Sequence, residues 1–232
     1  MQRFKAVLES RGILGFVILL LLLLTAPAAA DSPIYEVKSY SLDAAEIYAA
    51  DNDAKPAYQI SPTLVFFAAT GWRKDKIFDA VKTAARILGQ CGIEIKNAKL
   101  HLLDAPDKFK YYNTPVSKEL ARISPFPRPT VYFVKDTLQA ERFDAEAIGR
   151  SNSRTRPELR HTIWIAFGAR DVGISLAHEL AHLLMNSGEH VDEPENLMRD
   201  ETTPRNTGLN AAQCERMREE GSKNGLLKPV GR

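Results

Sequence analysis

The chain has 232 residues, of which 44% are hydrophobic and 26% charged. That content supports one globular domain of ordinary core size, in one or two lobes. Its 31 Lys and Arg nearly balance its 29 Asp and Glu, so the composition excludes a protein held to nucleic acid by overall basic charge. There is no internal repeat and no low-complexity segment after the first 30 residues.

Arg3, Lys5 and Arg11 form a positive start, Gly12 to Leu24 an apolar run rich in Leu, and Ala28-Ala29-Ala30 a small-residue cleavage site. Residues 1–30 therefore read as a signal peptide, with Asp31 as the mature start and a secreted or periplasmic destination. The run is short for a membrane span, so none is expected after cleavage, with an uncleaved anchor as the alternative. Loss of Arg3, Lys5, Arg11 and Glu9 leaves 28 charges of each sign. Only two cysteines occur, Cys91 and Cys214. In an oxidising compartment an even pair suggests one disulfide, with two buried thiols as the alternative.

Residues 31–61 show weak periodicity and read as an N-terminal extension or activation segment, with a short strand at Ile34–Val37 and a helical turn over Leu42–Tyr48. The domain itself is expected over residues 62–221. Pro62 to Ala69 is an apolar run of strand length. Lys74 to Gly89 has the 3.6-residue apolar spacing of an amphipathic helix. Ile93 to Leu103 alternates as a strand or a bent pair of strands. Asp104 to Pro127 reads as an inserted loop with a helical turn near Ser117–Ile123. Thr130–Val134 is a third strand, Phe143–Ser151 an edge strand, and Thr162–Phe167 a strand leading through Gly168 and Gly173 into the next helix. Asn210 and Gln213 have capping-box spacing for a last helix that stops at Gly221. Residues 222–232 read as a frayed tail.

The helix from Ile174 to Ser187 carries His178-Glu179-Leu180-Ala181-His182. Residues four apart share a helix face, so His178 and His182 aim two imidazoles at one ion. Glu179, about 100° round the helix, is placed to take a proton from water on that ion rather than to bind it. Asp171 or Ser175 is a candidate cap, and Asn186 and Gly188 are candidate left-handed stops. Three of the five histidines fall within thirteen residues, which favours a zinc site over a core helix with two satisfied histidines.

A catalytic zinc usually has three protein ligands. His190 is the nearest downstream histidine, with Asp192, Glu193, Glu215 and Glu219 as carboxylate rivals. Here the chain resembles the metzincin zinc peptidases, whose motif is HExxHxxGxxH followed by a Met-turn. His178, Glu179 and His182 match it, and Met198 in Glu195-Asn196-Leu197-Met198 is similar to the Met-turn methionine. Met185 stands where the family has Gly and Gly188 where it has the third His, so His190 requires a turn two residues longer. Arg199 follows Met198 where the family has Tyr.

The resemblance implies an α+β fold: a twisted mixed sheet with two long helices in an upper lobe, and a small lower lobe with a C-terminal helix. It also implies one catalytic Zn2+ and an endopeptidase in which the edge strand binds an extended peptide or protein substrate. The competing expectations are an inactive or non-peptidase relative that grips a peptide or protein partner, and a zinc hydrolase of other amides. His101 reads as structural and Trp72 and Trp164 as core, while His161, opening the strand before the zinc helix, reads as a surface residue, with an approach to the cleft as the alternative.

Overall fold

The computed structural model describes residues 33–48, 56–136, 145–148, 157–200 and 203–231, with 145–148 described by their backbone. These residues belong to one compact unit, Ser32–Arg232. The expected signal peptide and its cleavage site lie outside the described residues. Among the described residues no helix is long and apolar enough to cross a membrane.

The fold is α+β, built on a six-stranded mixed sheet in the order β1-β5-β3-β6-β8-β7. The four inner strands are β3 (Thr63–Phe67), β5 (Asn97–Asp104), β6 (Thr130–Val134) and β8 (Thr162–Ala166), and they run parallel. Their apolar runs have the composition of strands covered on both faces. Side chains alternate accordingly. Leu64, Phe66, Val131, Phe133, Ile163 and Ile165 join the core formed with helices α2 (Lys74–Gly89) and α4 (Val172–Met185). Val65, Phe67, Tyr132, Val134 and Trp164 point the other way, into a second core with Phe109, Tyr112 and Leu120, the last on α3 (Thr114–Ile123).

Both edge strands are antiparallel to their neighbours: β1 (Tyr35–Asp43) on β5, and β7 (Ala145–Ile148) on β8. β1 is longer than the expected Ile34–Val37 strand, because β5 offers it a partner from Tyr35↔Asp104 to Asp43↔Asn97. Tertiary pairing overrides a weak local pattern there. The expected helical turn is α1 (Ala44–Ile47), which opens with a capping box between Asp43 and Glu46.

A second, three-stranded sheet in the order β4-β2-β9 has no counterpart in the sequence reading. β2 (Tyr58–Ile60) pairs in parallel with β4 (Ile93–Ile95) and antiparallel with β9 (Lys228–Pro229). Part of the stretch expected to fray is therefore hydrogen-bonded into a sheet. The strand pattern over Ile93–Leu103 is a bent pair: β4 and β5 meet at Lys96 and enter different sheets.

Helix α4 lies against both α2 and α5 (Ala211–Lys223), and every side chain it carries from Ile174 to Met185 is buried. Two glycines make these approaches possible. A Cβ on Gly173 would lie 2.5 Å from Thr83 Cβ, and one on Gly221 would lie 2.9 Å from Leu184 Cδ2. Gly173 thus sits within the first turn of α4 rather than before it. Gly221 is a packing residue rather than a stop, and α5 continues to Lys223. The Cys91–Cys214 disulfide joins the chain just after α2 to α5, with the Cα atoms 4.9 Å apart.

Candidate metal centre

The imidazoles of His178 and His182 project from one face of α4, one turn apart, and each is held by its Nδ1. His178 Nδ1 donates to the Leu197 carbonyl at 2.7 Å, and His182 Nδ1 donates to the Ser187 carbonyl at 2.8 Å. A carbonyl oxygen can only accept, so these contacts assign the proton to Nδ1 in both rings and leave each Nε2 as a lone pair.

The helix ends at Met185. Asn186 takes the left-handed conformation at φ 50°, with its N–H directed to the carbonyls of His182 and Leu183. Asn tolerates that region better than most residues with a side chain. The chain then turns back through Ser187 and Gly188 and brings His190 to the other two histidines. His190 Nδ1 faces Asp200 Oδ1 at 3.2 Å, so its Nε2 also points inward. The Nε2 atoms are 2.9 Å apart between His178 and His182, 3.1 Å between His182 and His190, and 3.3 Å between His178 and His190.

Three imidazole lone pairs converging at that spacing repel one another unless a cation lies among them. Zn–N bonds of about 2.0–2.1 Å in a tetrahedron put neighbouring nitrogens about 3.3–3.4 Å apart. The observed triangle is slightly tighter than that and of the right kind, so the three rings fit a single divalent ion. Among the described residues this trio is the one His/Cys/Asp/Glu group with metal-ligand geometry. The carboxylate rivals nearby are engaged elsewhere: Asp192 pairs with Arg199 at 3.0 Å, and Glu193 accepts from Asn196 at 2.9 Å. Glu179 follows His178 on α4 and is 7% exposed.

The loop from Glu193 to Arg199, which supplies the Leu197 carbonyl to His178, is fixed by its backbone and by a buried amide pair. The Met198 N–H donates to Asn196 Oδ1 and the Met198 carbonyl accepts from Val191 N, at 2.8 and 2.9 Å. Asn196 and Gln213 exchange two side-chain hydrogen bonds of 3.1 Å. Gln213 closes the expected capping box with Asn210. The loop that supplies the Leu197 acceptor is thereby tied to the N-terminus of α5. Met198 is fully buried.

Sequence reasoning did not anticipate Asn196, Asp200 or the carbonyls of Ser187 and Leu197. Backbone acceptors leave no side-chain signature, and an exposed Asp after an Arg resembles any surface residue. The remaining histidines stay apart from the trio. His101 is buried on β5, with Nδ1 2.7 Å from Glu36 Oε2 and its ring against Phe126. His161 is buried, not at the surface: it immediately precedes β8 in a left-handed conformation at φ 57°, and its carbonyl accepts from the Thr130 N–H that opens β6. Burial, with Arg160 and Arg128 nearby, lowers its pKa to about 4. Trp72 and Trp164 are core residues, with indole N–H groups bonded to the Val134 carbonyl and Thr162 Oγ1.

No family model matches the chain, and no curated protein does. Among solved structures it is similar to metalloproteinase-II from Bacteroides fragilis, at 22% identity over 74% of this chain, with a TM-score of 0.49. The match covers 55% of that protein, so the chain spans little more than half its length.

Proposed function

We propose that the protein is an exported zinc-dependent endopeptidase of the metzincin type. The observation that carries this reading is the convergence of three Nε2 lone pairs, each fixed by an oxygen behind Nδ1, beside the buried carboxylate of Glu179. His178, His182 and His190 would hold the zinc. A zinc ion there supplies Lewis acidity, which acidifies water and polarises a carbonyl.

The chain's own residues do the rest. Glu179 holds and moves the proton: its carboxylate takes one from the attacking water and passes it to the leaving amine. A purely structural zinc site has no use for a base at that position. Strand β7 pairs with β8 along one side and lies at the end of the sheet order. Its other side would bind an extended peptide by adding it as a further strand, main chain to main chain. Met198, buried on the loop whose Leu197 carbonyl holds His178, would serve as the Met-turn methionine under the histidines. Export is supported by the signal-like first 30 residues and by the Cys91–Cys214 disulfide, a bond kept in oxidising compartments.

The test is Glu179→Gln in the full-length chain, loaded with zinc and assayed on an unfolded protein substrate. The variant should bind zinc as the wild type does and lose hydrolysis by about 10²–10⁴-fold. Hydrolysis at the wild-type rate in the variant, or none in the zinc-loaded wild type, would reject the proposal.

A further inference from the structure

Where β3, β5 and β6 begin, the two sheets leave a cavity of about 260 Å³ between them. None of its lining residues belongs to the histidine trio. Three are cationic and none is acidic: Lys96 at the bend between β4 and β5, Arg128 just before β6, and Lys228 on β9. They come from three separate parts of the chain, and among the described residues none is paired with a carboxylate. Some cations elsewhere on the molecule have such partners, for example Arg199 with Asp192 and Arg216 with Glu189.

Arg128 is the most constrained of the three. Its Nη2 donates to the Glu158 carbonyl at 2.6 Å, while its buried Nη1 has no hydrogen-bond partner among the described residues. Burial lowers its pKa. A half-buried guanidinium next to two further cations in one concavity carries a desolvation and repulsion cost that an anion offsets. Ser61 and Asn97 add a hydroxyl and an amide to the same wall, so neutral donors accompany the charges. The volume admits a small ion and not a drug-sized molecule.

We propose that this cavity binds a small dianionic oxyanion, of the phosphate-monoester or dicarboxylate class. Lys96 and Lys228 close over it at the mouth, and Arg128 supplies positive potential from the wall. Because the site spans β2, the β4–β5 bend and β9, occupancy clamps the small sheet to the large one.

The test is a titration of the 15N-labelled full-length chain with sulfate and with succinate, two dianions that bind zinc weakly, against chloride at matched ionic strength. The expected result is saturable shifts of the Gln59, Asn97 and Gly225 amides with at least one dianion and none with chloride. A preference for sulfate assigns a tetrahedral, phosphate-like ligand, and a preference for succinate assigns a dicarboxylate. The double variant Lys96→Gln/Lys228→Gln, changed at two exposed side chains, should weaken the binding at least tenfold. Shifts that do not saturate in the wild type, or equal affinity in the double variant, overturn the proposal.

Discussion

His178 Nδ1 and the carbonyl of Leu197 are 2.7 Å apart across nineteen residues. That bond joins the helix carrying two of the three converging imidazoles to the loop carrying Met198. The same loop is anchored to α5 through Asn196 and Gln213. Orientation of the first histidine therefore depends on a chain of contacts that runs through a buried amide pair.

Asn196→Ala removes the acceptor of the Met198 N–H and leaves Gln213 without its buried partner. Unsatisfied buried polar groups cost about 1–3 kcal/mol, so the variant should unfold at lower urea. If the loop orients His178, zinc affinity should fall as well, by roughly tenfold. Lowered stability with unchanged zinc affinity would separate the loop from the site.

Asp200→Asn tests the support behind His190. Removing a carboxylate behind a metal-ligating histidine typically costs 10–100-fold in affinity. Asp200 is largely exposed, which places the expected loss near the lower end, about tenfold. Competition with a calibrated chelator measures it.

The disulfide closes a loop of 123 residues between Cys91 and Cys214. Loop-closure entropy alone predicts about 4–5 kcal/mol for that length. Cys91→Ala/Cys214→Ala should move the urea midpoint down by most of that amount. An unchanged midpoint would mean that packing of α4 between α2 and α5 holds the two helices without the covalent link.

His161 makes stability depend on pH. Its pKa in the folded chain is lowered to about 4, first by burial and then by Arg160 and Arg128, against about 6.5 when unfolded. Between those values the unfolded chain binds a proton that the folded chain refuses, so stability falls as pH drops from about 6.5 towards 4. With allowance for solvent screening, the loss is of order 1–2 kcal/mol. His161→Gln should flatten that part of the stability–pH curve. A variant curve parallel to that of the wild type would remove His161 as the cause.

The sequence exposed the elements whose signals are local. The continuous apolar strands β3, β6 and β8 and the helix Lys74–Gly89 follow from composition and period, and Asn210 with Gln213 marks the start of α5. It concealed what depends on distant partners. β1 takes its length from β5, and β9 exists because β2 offers a free edge. Gly173 and Gly221 resemble helix punctuation until Thr83 and Leu184 are placed against them. At the candidate metal centre, the four-residue spacing put His178 and His182 on one helix face. The oxygens behind each Nδ1 required the folded loop.

The most direct measurement is zinc stoichiometry on the purified full-length chain, beside His190→Ala. The account predicts one zinc per chain in the wild type and an affinity at least 100-fold weaker in the variant. Equal zinc binding in the two proteins, or none in the wild type after reconstitution, would contradict it.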